Sequence, residues 1–422
     1  MNNKLISIEK INNVAVQLVN NISVDSIHPL FPSTRDSLEK LIEKESQWED
    51  SDNQTPFLPL NRLNSKLEKT KGLQIIQEII ESGQFTSGKY IKEIEEILGG
   101  IYDAYCVGTS SGTDALIISL LSLGIGKDDE VIIPLNSFAA TENAIFAVGA
   151  KPVYVNMDMS YNMQYTDIEM MISEKTKAVM PVCLYGSTMN IKEVYDIAKK
   201  FDLRLIIDAA QCFGIPQIVN YADILVLSFN PFKNIGTFGK SGAIITRSED
   251  VQKLSRMYSY HGFEYNKKNI KSLNWGYNCK IDNIQAAILK EKLAFFELNS
   301  LKRCYLAHRY ISKLTPLEVK KKISLPIERL HNTWHLFPLY IIENTGSDLI
   351  SYAKINGFEF EIYYPVLSNQ YNTDYIAKYC KKLDLSKSEN IHMHTIHIPL
   401  HNHMSIKEQD KIIELLYEYL DK

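Results

Sequence analysis

No C-x-x-C pair occurs among the six cysteines, Cys106, Cys183, Cys212, Cys279, Cys304 and Cys380. Several sit in apolar runs, so they read as reduced, structural thiols of a cytoplasmic protein rather than as a disulfide framework or a zinc site. No apolar run approaches the ~20 residues needed to span a membrane. The opening Met1-Asn2-Asn3-Lys4-Leu5-Ile6 lacks the sustained apolar core of a signal peptide. An excess of positive charge is missing too: the formal net charge is −4, which offers no broad basic field for nucleic acid. Neither a Walker sequence nor G-x-G-x-x-G is present, so nucleotide folds gain little support. No internal repeat stands out. What remains is an ordinary globular composition, in a chain long enough to bury a large core in more than one small domain.

Residues 1–56 form a polar unit of their own, with a patchy helical pattern through Leu38, Leu41, Ile42 and Trp48. The acidic run Glu49-Asp50-Ser51-Asp52, followed by Asn53-Gln54, reads as a linker. Two placements of this extension are open, packed on a partner subunit or mobile. Residues 67–100 read as two amphipathic helices broken at Gly83 and at Ser87-Gly88. From about 105 to 247, short apolar strands at 131–133, 152–155, 178–182, 205–207, 224–227 and 243–245 mostly alternate with helix-length segments. That is the pattern of an α/β unit with a mostly parallel sheet covered on both faces. A long helix is expected from Ile281 to about Leu314, and a smaller α/β domain follows, ending in a helix over 406–420. The division expected is an N-terminal extension and linker (1–56), a large domain (57–300) and a small C-terminal domain (301–422).

Three segments carry chemistry. The first is Ser228-Phe229-Asn230-Pro231-Phe232-Lys233-Asn234-Ile235-Gly236, just past an apolar strand. A lysine in an apolar loop either snorkels to water or is desolvated, and desolvation favours the neutral, nucleophilic amine that a Schiff base needs. The second is Asp208-Ala209-Ala210-Gln211, at the end of a buried strand. A carboxylate there is either a helix cap or the partner of a positive group, such as a protonated ring nitrogen of a cofactor. The third is Gly108-Thr109-Ser110-Ser111-Gly112-Thr113-Asp114, ahead of an apolar helical run. Small residues at a helix N-terminus can cradle a phosphate, with the hydroxyls of Ser111 and Thr113 as further donors, or can simply cap the helix. Ligands in such sheets bind at the carboxyl ends of the strands. A histidine-rich stretch, His392, His394, His397, His401 and His403, admits a metal reading, but residues 396–400 read as an ordinary strand and turn, and no metal is expected.

These segments, in this order, resemble the DegT/DnrJ/EryC1/StrS family of sugar aminotransferases. Further marks are Gly83-Gln84-Phe85-Thr86-Ser87-Gly88, Leu184-Tyr185-Gly186 and Gly276-Tyr277-Asn278 with Asp282 and Gln285. The resemblance implies the pyridoxal-phosphate-dependent transferase fold of type I, with a mostly parallel seven-stranded sheet, and a homodimer whose sites are shared across the interface. It implies pyridoxal 5'-phosphate as cofactor and gives roles by position. Lys233 would hold the cofactor covalently and shuttle the proton, and Asp208 would hold the ring nitrogen. Gln211 would bond the ring hydroxyl, and Phe138 would stack on the ring. Gly112, Thr113 and Ser228 would hold the phosphate, and Asn278 would reach in from the neighbouring subunit.

A narrower likeness runs through Phe57-Leu58-Pro59, Gly239-Lys240-Ser241, Ser259-Tyr260-His261 and Tyr363-Tyr364-Pro365. It points to the branch that makes kanosamine 6-phosphate from 3-oxo-glucose 6-phosphate, with glutamate as amino donor, in antibiotic biosynthesis. Tyr185, Lys240, His261, Tyr363 and Tyr364 are the candidate substrate residues. Cys183, Asn230, Lys240 and Lys280 depart from the common family pattern, and these departures bear on the substrate rather than on the cofactor. A nucleotide-linked 3- or 4-keto sugar and a non-catalytic regulatory member stay open as alternatives.

Overall fold

A computed structural model of the chain describes residues 5–421 apart from 26, 47–53, 265–266, 268, 344, 372–377 and 379–382. The acidic linker and Trp48 fall outside the described residues, as does Cys380.

Seven strands build the central sheet: β1 (Tyr105–Thr109), β2 (Glu130–Pro134), β3 (Lys151–Val155), β4 (Thr176–Val179), β5 (Arg204–Asp208), β6 (Ile224–Ser228) and β7 (Gly242–Thr246). Their order across the sheet is β1-β7-β6-β5-β4-β2-β3. Pairings from β3 through β6 are parallel, while β7 runs antiparallel to both β6 and β1. Val131, Ile132, Ile133, Ile206, Ile207, Leu225 and Val226 are buried, as a sheet covered on both faces requires. A second sheet is antiparallel, in the order β10-β9-β8, from β8 (Ile323–Ser324), β9 (Phe337–Ile341) and β10 (Thr395–Ile398).

Two strands differ from the apolar runs. β1 is the one that no run marks, because Gly108 and Thr109 dilute it; a side chain at Gly108 would meet Ile281 at 2.4 Å. The run over 178–182 shortens to β4. Pro181 has no N–H for a ladder, yet its carbonyl accepts from the Asp208 N–H at 3.0 Å, so the chain stays beside β5 up to the sheet's carboxyl edge.

Asn283–Val319 is one helix. Asp282 caps it, its Oδ1 accepting from the Gln285 N–H at 2.7 Å. It runs past the expected end because Leu314 and Leu317 are buried and Pro316 does not stop it. The N-terminal extension lies on this helix. Ile8–Val19 puts Ile8, Ile11, Val14, Ala15 and Leu18 on one buried face, each large side chain contributing about 1.5–3 kcal/mol of burial. Arg35–Glu45 follows, and its Glu39 accepts from the Tyr305 hydroxyl at 2.5 Å while Glu45 pairs with the buried Lys302. The extension is therefore packed on its own chain, which neither placement open from the sequence described. No helix among the described residues is long and apolar enough to cross a membrane.

Candidate active site

β5 and β6 end side by side and deliver Asp208 and Ser228 to one edge of the sheet. Past β6 the chain forms a loop back to β7. Phe229 N–H donates to the Ser241 carbonyl at 2.8 Å, Thr237 N–H to the Phe229 carbonyl at 2.8 Å, and Lys233 N–H to the Asn230 carbonyl at 2.8 Å. Gly236 permits the tight return, since a Cβ there would stand 2.5 Å from the Asn230 carbonyl oxygen. Lys233 thus projects from a braced loop into a cleft of about 1180 Å³.

Burial brings the Lys233 ammonium down to about 8, against an opposing upward pull from the Asp208 carboxylate. Asp208 itself is 5% exposed. Burial raises its pKa, while the Ala210 N–H, the Lys233 charge and the Thr141 hydroxyl hold it down. The two donors reach it at 3.1 and 3.3 Å. Nothing in the sequence singles out Thr141 as a carboxylate partner.

Gln211 turns from the same strand end. Its Oε1 accepts from the Tyr185 N–H at 2.6 Å and its Nε2 donates to the Tyr364 hydroxyl at 2.7 Å. Tyr364 stacks on Tyr185 at 6.2 Å and leans toward Phe138 at 6.0 Å. Phe138 is 56% exposed on the lip of the cleft.

Opposite Lys233, the helix Gly112–Ser122 points its N-terminus at the cleft. A Cβ on Gly112 would lie 2.9 Å from Ser228 Cβ and 3.2 Å from its Oγ, so the glycine is what lets the β6 end close over the helix N–H groups. Ser111 is not a free donor but caps the helix, one of the two readings open from the sequence. Its hydroxyl gives its proton to Asp114 Oδ2 at 2.6 Å and accepts from the Asp114 N–H at 3.0 Å. Ser110 donates to the same carboxylate oxygen at 2.6 Å. Gly112, Thr113 and Ser228 line the cleft beside them.

The structure thus gathers Gly112, Thr113, Phe138, Asp208, Gln211, Ser228, Lys233, Lys240, Tyr363 and Tyr364 around one cleft. Lys233 and Lys240 are the lysines among its described lining residues. Tyr185 lies behind that wall, buried against Tyr161, Tyr364 and His397 with a positive φ of 57°. His261 and Asn278 do not line it. His261 packs between Tyr260 and Phe263, and Asn278 is exposed and bridges to Tyr260. Among the tail histidines, His392 contacts the Tyr364 carbonyl at 2.8 Å, His394 the Ile341 carbonyl at 2.9 Å, and His397 the Tyr185 ring. The described cysteines, Cys106, Cys183, Cys212, Cys279 and Cys304, are buried free thiols.

Chemically, the cleft offers a partly neutral amine, a buried carboxylate, an anion cradle and an aromatic wall. A phosphorylated aromatic aldehyde with a basic ring nitrogen fits that donor set.

The model of the DegT/DnrJ/EryC1/StrS aminotransferase family matches residues 66–417. The chain is 40% identical over 370 residues to 3-oxo-glucose-6-phosphate:glutamate aminotransferase of Bacillus subtilis (strain 168), covering 86% of this chain and 83% of that protein. It is 32% identical over 302 residues to UDP-2-acetamido-2-deoxy-3-oxo-D-glucuronate aminotransferase of Pseudomonas aeruginosa, covering 70% and 82%. The crystal structure of NtdA from Bacillus subtilis with bound cofactor PMP superposes with a TM-score of 0.90 at 35% identity, over 100% of both chains.

Proposed function

The chain belongs to the DegT/DnrJ/EryC1/StrS aminotransferase family, and from that premise we propose that it moves an amino group from glutamate to 3-oxo-glucose 6-phosphate on pyridoxal 5'-phosphate. The observation that carries the reading is the pairing of Lys233, brought down to about 8 by burial, with the buried Asp208 across a cleft that ends in an open helix N-terminus.

When bound, pyridoxal phosphate supplies an aldehyde that condenses with amines and a ring that accepts electrons from an adjacent C–H bond. Lys233 would hold the group through Nζ and, when free, carry a proton at that atom. A lysine with its ordinary pKa is almost wholly a cation at neutral pH; brought down to about 8, Lys233 is more often the neutral amine that can take a proton. Asp208, its carboxylate fixed by Thr141 and the Ala210 N–H, would accept a hydrogen bond from the ring nitrogen and keep it protonated. Gln211 would serve the ring hydroxyl. Gly112, Thr113 and Ser228 would hold the phosphate, and Phe138 would cover the ring.

Lys240 gives the cleft a second cation, placed for the phosphate of a hexose phosphate, with Tyr363 and Tyr364 along the sugar. Tyr185 sets Gln211 and Tyr364 from behind. His261 and Asn278, off the cleft of their own chain, would serve the site of a second copy, and we infer a homodimer.

A half-reaction screen tests the reading. The amine form of the enzyme is mixed with 3-oxo-glucose 6-phosphate or with nucleotide-linked keto sugars, while the return of the lysine-bound absorbance is followed. Return with the hexose phosphate alone supports it. Return only with nucleotide sugars moves the substrate to that class, and no response to glutamate in the first half-reaction refutes transamination. A Lys240→Ala arm should raise KM for the hexose phosphate about tenfold, as loss of one charge-assisted contact predicts, and leave the glutamate half-reaction alone.

A further inference from the structure

The segment 330–335 has two faces, and both are occupied by hydrogen bonds. Toward the site, Thr333 Oγ1 donates to the Gln211 carbonyl at 2.6 Å, and Asn234 Nδ2 donates to the Thr333 carbonyl at 2.8 Å. Asn234 Oδ1 meets His335 Nδ1 at 3.0 Å. Thr333 N–H also donates to the Gly186 carbonyl at 3.0 Å. This one short segment therefore holds Gln211, three residues past Asp208, and Asn234, the residue after Lys233.

Away from the site, the same segment rests on Asn12 of the N-terminal extension. Asn12 is 0% exposed. Its Nδ2 donates to the Leu330 carbonyl at 2.8 Å and to the Asn332 carbonyl at 3.0 Å. Its Oδ1 accepts from Trp334 Nε1 at 2.8 Å and lies 3.0 Å from His308 Nε2. Both donor hydrogens and both lone pairs of the amide are thus engaged. The helix that carries Asn12 is fixed independently: Ile8 N–H donates to the Gly214 carbonyl at 3.4 Å, and Ile8 Cγ1 stands 3.0 Å from where a Cβ on Gly214 would be. Asn12 and its helix lie outside the 66–417 stretch matched by the family model, while the segment they meet lies inside it.

We propose that Asn12 is a positioning residue of the active site, through which the N-terminal helix Ile8–Val19 sets the placement of the Lys233 loop and of the Asp208–Gln211 turn. The extension is then a working part of the catalytic scaffold and not a covering laid over it. A group that holds reacting atoms in place acts on the rate even though it touches none of them, because misplacement by about 1 Å can cost up to 10²-fold.

The test compares the unaltered full chain with Asn12→Ala and Asn12→Asp. Two quantities are measured in each, beside the melting temperature. One is the acetylation rate of Lys233 relative to Lys240 in cofactor-free protein, read by peptide mass, which is independent of the proposed function. The other is kcat and KM of the glutamate half-reaction, which rests on that reading. In Asn12→Ala the acetylation ratio should shift at least threefold, and kcat should fall about 10- to 100-fold with KM for glutamate within twofold. Asn12→Asp keeps both accepted hydrogen bonds but sets a carboxylate oxygen against the Leu330 and Asn332 carbonyls, so its shifts should be at least as large. A folded variant with the parent's acetylation ratio and the parent's kcat overturns the inference, whatever its melting temperature, since stability alone would then be what Asn12 supplies. If Asn12→Ala does not fold, Thr333→Val decides by the same two measurements, since it removes the hydroxyl link to Gln211 without changing shape. An unaltered chain with a measurable acetylation ratio but no glutamate half-reaction refutes the proposed function, and the ratio in the variants still decides this inference.

Discussion

Burial and the Asp208 carboxylate act on the Lys233 amine in opposite directions, and burial prevails, leaving its pKa at about 8 where a free lysine has 10.5. In cofactor-free protein, the unfolded chain therefore binds more protons than the folded one across that window, and stability rises with pH through it. The cost of folding with a charged Lys233 is full below about pH 8 and fades toward 10.5. Replacing Lys233 with Met should stabilise the cofactor-free protein at pH 7 and do so less at pH 10. Paired urea titrations read this directly, and a stabilisation that does not change with pH contradicts it.

Lys233→Ala should abolish the covalent attachment of pyridoxal phosphate. Mass spectrometry after borohydride treatment will find the cofactor on the unaltered chain at this residue and not on the variant. Turnover should fall by at least roughly 10²–10⁴-fold, the range for loss of a proton-transferring group. Substantial turnover in the variant would place the nucleophile elsewhere.

Asp208→Asn leaves Lys233 and the anion cradle in place, so the variant should still take up the cofactor. What it loses is the charge that keeps the ring nitrogen protonated. The glutamate half-reaction, followed by stopped-flow absorbance, should slow by about 10²-fold or more. The Lys233 pKa should also fall further, because the one charge that raises it has gone.

Gly112→Ala drives a methyl group to 2.9 Å from Ser228 Cβ. Overpacking of this kind costs about 1–3 kcal/mol, and here it falls on the contact between the β6 end and the helix N-terminus. Cofactor affinity, measured by titration, should weaken about tenfold or more within that range. An unchanged affinity would mean that the phosphate is held elsewhere.

Mixing two inactive variants tests the shared site. If Asn278 serves the neighbouring copy, Lys233→Ala and Asn278→Ala subunits should complement each other. Random reassociation gives half heterodimers with one intact site each, hence roughly a quarter of full activity. No recovery in verified heterodimers would assign Asn278 to its own chain.

The local parts of this molecule were legible in its residues. The runs at 131–133, 205–207 and 224–227 lie in the strands they suggested, because a sheet buried on both faces demands continuous apolar sequence. Lys233 and Asp208 stood out because a charged group at the end of such a run has to be explained. Asn12, Thr141 and Thr333 did not stand out. Each acts through a backbone carbonyl or a carboxylate far away along the chain, and one polar residue in a helix or loop carries no trace of a distant partner. Ser111 carried two readings for a related reason. A serine before a helix can serve an anion or the helix itself, and only the position of Asp114 decides between them.

Asn12 and Asn332 are separated by 320 positions. During synthesis the first helix leaves the ribosome long before its seat exists, and it must wait with an apolar face uncovered until the chain is three-quarters made. Contacts this remote in order of appearance slow folding and prolong exposure to aggregation. On the proposed bracing, the catalytic loop reaches its final form only when Asn12 meets the segment 330–335, so a chain released before that segment is made would carry Lys233 and Asp208 unbraced.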